Sequence, residues 1–187
     1  LDSKEAIRVH NLNIAGCYYY LKQEKETVEY YKKSIYYCDQ LGNLEKKAQA
    51  YFQLGRFYSD MYLNYGEAVR YLKKSIAVLK KIEDKKQLAL TYYFMGSCLK
   101  RGGNPEEAIK SFRREQELNK ELGKEKAFAV DYAIIGNCYQ ALKMNDENLK
   151  YQEMYLEAAK DLNLDNEIAT AYHNIGRVYA ALEDFKT

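Results

Sequence analysis

Residues 91–112 read "TYYFMGSCLKRGGNPEEAIKSF", and the phrase returns along the chain in altered spelling. Its first half is echoed by "NIAGCYYYL" at 13–21, "QLGRFYSDM" at 53–61, "AIIGNCYQAL" at 133–142 and "NIGRVYAAL" at 174–182. Aligned on glycine, the echoes put Gly16, Gly55, Gly96, Gly136 and Gly176 at spacings of 39, 41, 40 and 40. Four residues earlier stand Leu12, Tyr51, Tyr92, Tyr132 and Tyr172, and three residues later Tyr19, Tyr58, Leu99, Tyr139 and Tyr179. Offsets of four and three gather these side chains on one helical face around the glycine.

The second half of the phrase also recurs, as "ETVEYYKKSI" at 26–35, "EAVRYLKKSI" at 67–76 and "ENLKYQEMYL" at 147–156. Its small-residue position holds Thr27, Ala68, Ala108 and Asn148, and the helix ends at Leu41, Ile82, Leu122 and Leu162. Gly42, Glu83, Gly123 and Asn163 follow, at the place where a helix commonly stops in the left-handed conformation. From glycine to small residue the count runs 11, 13, 12 and 12, whereas from small residue to the next glycine it is always 28. One residue added to a helical joint rotates everything after it by about 100°. The joint between units is therefore fixed, and the turn inside each unit absorbs the variation.

Each unit is two antiparallel helices, A and B, that cannot bury an apolar face without a neighbour. The expected fold is all-α, an α-solenoid superhelix of one array. Its repeats run at roughly 4–42, 44–83, 85–123 and 125–163, with an incomplete fifth at 165–187. The glycine and the small residue are expected to let A and B approach closely, and the nine repeat tyrosines, the eight around the glycines and Tyr31 four residues after Thr27, to pack the core. In "GGNPEEA", Asn104 is expected to cap the next helix and Pro105 to occupy its first position.

The 29 Lys+Arg and 27 Asp+Glu leave a net charge of +2, with no imbalance that argues for nucleic acid or a membrane surface. No apolar run approaches the roughly 18 residues of a membrane span, so a soluble chain is expected. Cys17, Cys38, Cys98 and Cys138 form no C-x-x-C pair, which points to a reducing, cytoplasmic setting. The start at Leu1 and the stop at Thr187, inside the pattern, read as a piece of a longer protein.

With W-x2-L-G-x2-Y, then A, then F met here with tyrosine in the tryptophan place, the units resemble tetratricopeptide repeats. "TYYFMGSCLKRGGNPEEAIKSF" and "AYHNIGRVYAAL" carry the likeness best. The period of about 40 is similar to that of the LGN/Pins-type polarity adaptors and of ciliary scaffold proteins with long repeats. Asn148 and Gln152 depart from the pattern, and helix B of the fourth unit is expected to pack by a shifted face using Tyr151 and Tyr155.

The resemblance implies a concave groove lined by the A helices, which takes an extended or helical partner segment. Carried over position by position, the groove residues are Asn13, Phe52, Arg56, Tyr93, Lys100, Arg101, Asn137, Gln140, His173 and Arg177. Basic groups outnumber acids among them, so acidic peptide segments are the expected partners, through charge-assisted bonds. The asparagine ladder of the polarity adaptors survives mainly as Asn137, with Asn13 and Asn174 nearby, and the carboxylate clamp of chaperone-binding relatives is not assembled. A fifth-unit helix presenting Tyr172, Ile175 and Tyr179 calls for a further helix, a cap or another chain.

Neither G-x-x-x-x-G-K-[ST], G-x-G-x-x-G nor H-E-x-x-H occurs, and His10 and His173 lie four repeats apart. Cys98 and Cys138 share one repeat position and read as small buried residues. No catalytic residue, metal or cofactor is expected. The function that follows is a non-catalytic scaffold or adaptor, in a large cytoskeletal, ciliary or axonemal complex or a polarity assembly. The rival is a sensor or autoinhibitory module of an enzyme whose catalytic domain lies outside this sequence.

Overall fold

In a computed structural model, which describes residues 3–184, the chain forms nine helices and, among the described residues, no strand. It divides into two compact units, Leu1–Gly102 and Gly103–Thr187. The first contains α1 (Ser3–Tyr20), α2 (Glu24–Gln40), α3 (Leu44–Tyr62), α4 (Tyr65–Lys81) and α5 (Lys85–Arg101). The second contains α6 (Pro105–Glu121), α7 (Glu125–Ala141), α8 (Asn145–Asp161) and α9 (Asp165–Asp184). The division falls inside the third expected repeat, at the turn between α5 and α6. Within each unit every helix packs on the next in sequence, and in the first unit α3 also touches α5. No described helix is long and apolar enough to cross a membrane.

The turns explain why the helices stop where they do. A left-handed residue stands in each: Lys22, Gly42, Leu63, Glu83, Gly103, Gly123, Lys143 and Asn163, with φ between 50° and 80°. Gly42, Gly123 and Asn163, the glycine and asparagine stops expected from the sequence, are among them, and Glu83 takes the same conformation at φ 54°. Backbone bonds close the turns, as from the Asn43 amide to the Cys38 carbonyl at 2.9 Å and from the Lys124 amide to the Asn119 carbonyl at 2.9 Å. Starts are marked by capping: the side chains of Asn43, Asn64 and Asp84 accept from the amides of Lys46, Glu67 and Gln87 at 3.0, 3.1 and 3.0 Å. Pro105 takes the first turn of α6 as expected, but the Asn104 side chain at the cap position makes no capping bond. Replacing Asn64 by alanine is expected to cost about 1 kcal/mol in urea denaturation. A loss below a few tenths would show that water serves the amide equally well.

The helical register sets the core. Five residues before each repeat glycine stand Asn11, Ala50, Thr91, Asp131 and Ala171, all buried, as are Thr27, Ala68, Ala108 and Asn148 at the small-residue position. In the first unit an aromatic cluster fills the space between α1, α3 and α4. Phe57, with no exposed surface, has the rings of Tyr19, Tyr58 and Tyr62 at 5.2, 5.6 and 5.3 Å, and Tyr58 stacks on Tyr71 at 5.7 Å. The Tyr62 hydroxyl donates to the Lys22 carbonyl at 2.8 Å, tying α3 to the α1–α2 turn. Of the nine repeat tyrosines Tyr31 and Tyr58 are buried, most others are half-buried, and Tyr172 and Tyr179 on α9 are exposed. Cys98 and Cys138 are buried as expected, together with Cys38.

Close approach of A and B helices at the glycine holds at Gly55 and Gly136 and not at Gly16. A Cβ on Gly55 would lie 2.8 Å from Leu72 Cγ, and one on Gly136 would lie 2.5 Å from Gln152 Nε2, yet at Gly16 it would meet nothing within 4 Å.

The fourth repeat corrects the expected shift of face. Asn148 and Gln152 are buried in the ordinary register of α8. They are accommodated because amides satisfy one another. Gln152 Nε2 donates to Asn148 Oδ1 at 3.2 Å and to the Ala133 carbonyl at 3.4 Å, and Asn174 Nδ2 of α9 donates to Gln152 Oε1 at 2.9 Å.

Candidate functional site

In the first unit the A helices are α1, α3 and α5. Between α3 and α5, floored by Ser75 and Leu79 of α4, lies a cleft of about 280 Å³. Leu79, Phe52 and Leu90 give it apolar surface, Gln49, Gln53 and Gln87 supply side-chain amides, and Glu45, Lys46 and Asp84 complete the lining. The polar side chains stand one helical turn apart on facing helices, a spacing that suits main-chain groups of a segment laid between them. Ser75 is not free for such a role, since its hydroxyl donates to the Ala48 carbonyl at 2.8 Å and pins α4 to α3.

The aromatic wall of the cleft continues into the first charged group. Phe52 meets the ring of Phe94 edge-on at 5.1 Å, and the Arg56 guanidinium lies over that ring at 5.7 Å. One turn further along α3, Asp60 faces Arg56 at 3.6 Å and accepts from the Tyr19 hydroxyl of α1 at 3.4 Å. Burial, and then the Asp60 charge, holds the Tyr19 phenol above its ordinary range, with Arg56 acting the other way. Arg56 Nε is buried with no acceptor among the described residues. A guanidinium supplies five donors in a rigid fork, and with 40% of the side chain exposed it is the terminal N–H groups, not the buried Nε, that can take a further oxygen.

The remaining expected residues are placed individually. Tyr93 is exposed, its ring edge-on to Phe94 at 5.9 Å. Lys100 is half-buried, and Arg101 lies over the ring of Tyr65, at the start of α4, at 5.1 Å. Arg56 and Arg101 thus engage different aromatic partners. Asn13 is exposed on α1. In the second unit Asn137 and Gln140 are half-buried on α7, while His173 and Arg177 are exposed on α9. Asn174, a candidate rung of the asparagine ladder, is committed to Gln152.

Two groups of polar residues were not singled out by their sequence. One is Gln53 and Gln87, which join Gln49, a groove position expected from the resemblance, and whose signal is their position beside the repeat register. The other is a buried carboxyl pair, Glu115 and Asp131, joined through Asn119. Among the described residues no group of three His, Cys, Asp or Glu could hold a metal ion.

Comparison with known proteins bears on both units. Models of the tetratricopeptide repeat match residues 5–81 and 89–122. No curated protein matches the sequence. Among solved structures, a signal transduction ATPase with numerous domains and a tetratricopeptide repeat sensor, from Pyrococcus horikoshii, is similar at 20% identity and TM-score 0.72, covering 94% of this chain and 27% of its own. The nearly identical tetratricopeptide-like repeats of a Podospora anserina kinesin light chain are similar at 16% identity and TM-score 0.73, covering 98% and 90%. A Rap protein in complex with competence and sporulation factor is similar at 16% identity and TM-score 0.64, covering 98% and 54%. The chain thus spans about a quarter of the ATPase and about half of the Rap protein.

Proposed function

Since the chain belongs to the tetratricopeptide-repeat family, we propose that it is a non-catalytic protein-interaction module whose A helices hold an extended segment of a partner protein. The observation that carries this is the cleft between α3 and α5, with its apolar wall running through Phe52 and Phe94 to the incompletely bonded Arg56. A bulky apolar side chain fits the cleft, the glutamines take its main chain, and an acidic side chain nearby completes Arg56 in competition with Asp60. In the second unit, Asn137 and Gln140 on α7 and His173 and Arg177 on α9 are the proposed contact residues. Its finer setting is a scaffold in a cytoskeletal, ciliary or polarity assembly, supported by repeat type and by the kinesin light chain among the similar structures.

The test is selection of random twelve-residue peptides on the full chain. The expected result is enrichment of a bulky apolar residue close to Asp or Glu. Phe52→Ala and Arg56→Glu should each weaken the selected peptide at least about tenfold, and added salt should weaken binding to the wild type. Enrichment indifferent to both substitutions would sink the cleft reading.

A second reading, a sensor or autoinhibitory module of an enzyme, is favoured by one observation. The similar ATPase carries its repeats as a sensor, and this chain matches 27% of it. The Rap protein, in complex with a factor, is consistent with both readings.

A further inference from the structure

Where a B helix meets the next A helix, three buried register positions recur. They hold Ser34, Cys38 and Ala50 at α2–α3, Ser75, Leu79 and Thr91 at α4–α5, and Tyr155, Ala159 and Ala171 at α8–α9. At α6–α7 the same positions hold Glu115, Asn119 and Asp131, which are 8%, 3% and 2% exposed. One joint of the array therefore carries two ionisable carboxyls where the others carry none.

The geometry gives these groups a single mediator. Asn119 Nδ2 donates to Asp131 Oδ2 at 3.1 Å and to Glu115 Oε1 at 3.4 Å, and Glu115 Oε2 is buried without a partner. A carboxylate is an acceptor only, so two ionised groups around one amide leave oxygens unsatisfied and charges opposed. A proton on one of them converts an acceptor into a donor and removes the repulsion.

We propose that Glu115, Asn119 and Asp131 form a proton-dependent latch between α6 and α7, shut while the carboxyl pair shares a proton and loosened when both groups ionise. The electrostatics agree. Burial pushes Glu115 up to about 8, with the Asp131 charge the second cause, and burial pushes Asp131 up to about 7. Against this, Asn119 favours the ionised form of both, and Lys124 in the α6–α7 turn is the cation that acts on Glu115. The Gln116 Nε2 amide, on the same helix, is also buried without a partner.

Because the folded state holds protons that the unfolded chain releases at the ordinary values of 3.8 and 4.5, the latch contributes fully below that range. Its contribution is lost as pH rises through about 7 to 8. This is the reverse of a salt-bridged carboxylate. Since α7 carries Asn137 and Gln140, the state of the joint reaches the helix that bears them; the latch itself stands apart from any reading of the groove.

The experiment is urea denaturation of the full chain at pH 6 and pH 8.5, for the wild type, Glu115→Gln and Asp131→Asn. The wild-type unfolding constant is expected to rise about tenfold or more between the two pH values, and Glu115→Gln to remove most of that rise. A pure packing role would shift the midpoint of Glu115→Gln equally at both pH values, and that parallel response overturns the proposal. Carbon-13 titration of the wild-type side-chain carboxyls decides independently of whether either variant folds. A Glu115 or Asp131 carboxyl titrating near neutrality supports the latch, and both titrating below pH 5 overturns it.

Discussion

Replacing Phe57 by alanine is expected to destabilise the first unit by about 3–5 kcal/mol. The ring has no exposed surface and touches those of Tyr19, Tyr58 and Tyr62, which come from two helices. Its removal leaves a cavity that none of them can collapse into freely. Tyr19 leans towards Asp60 and Tyr62 is tied to the Lys22 carbonyl. Because the chain forms two compact units, the loss is best read by amide hydrogen exchange in α3 and α4, where local opening is measured separately from the rest. Tyr36→Ala, at a ring 58% exposed, serves as control and is expected to change stability by less than about 0.5 kcal/mol. A loss at Phe57 no larger than at Tyr36 would mean that the aromatic cluster is not the core of this unit.

The second large effect is a divergence between residues that the sequence aligns as equivalent. Gly55→Ala should cost about 1–3 kcal/mol, because the new Cβ would press on Leu72 Cγ at 2.8 Å and on the Ala68 carbonyl at 3.2 Å. The carbonyl belongs to the backbone of α4 and cannot turn aside. Gly16→Ala should instead stabilise by about 0.5–1 kcal/mol, since a mid-helix glycine with open space around it only adds entropy to the unfolded chain. Thermal unfolding of the two variants side by side checks this. Equal losses would show that α1 and α2 close up at Gly16 in solution.

That divergence shows what the sequence could and could not carry. The helix ends and most of the left-handed stops were legible, because each follows from backbone geometry repeated along the chain. Even Asp131 was within reach, as Asn11, Ala50, Thr91 and Ala171 occupy its register and are buried. What the pattern could not supply is which partner a side chain chooses once its position is fixed. Asn148 and Gln152 looked like reasons for α8 to rotate, but three amides and a carbonyl satisfy one another and the helix keeps its face. Arg56 and Asp60 stand at i and i+4, so their pairing could have been foreseen, whereas the position of Arg101 over Tyr65 depends on where α4 begins. The cleft is less legible still, being a space between helices and not a property of any one of them.

The left-handed residues recur at 22, 42, 63, 83, 103, 123, 143 and 163, every 20 or 21 residues, at half the period of the sequence motif. Five of them are not glycine: Lys22, Leu63, Glu83, Lys143 and Asn163. The repeating unit of this backbone is thus a single helix with its stop, and the left-handed conformation of the stop is kept whether or not glycine occupies it. The same turn continues at 143 and 163, past residue 122 where the repeat models cease to match.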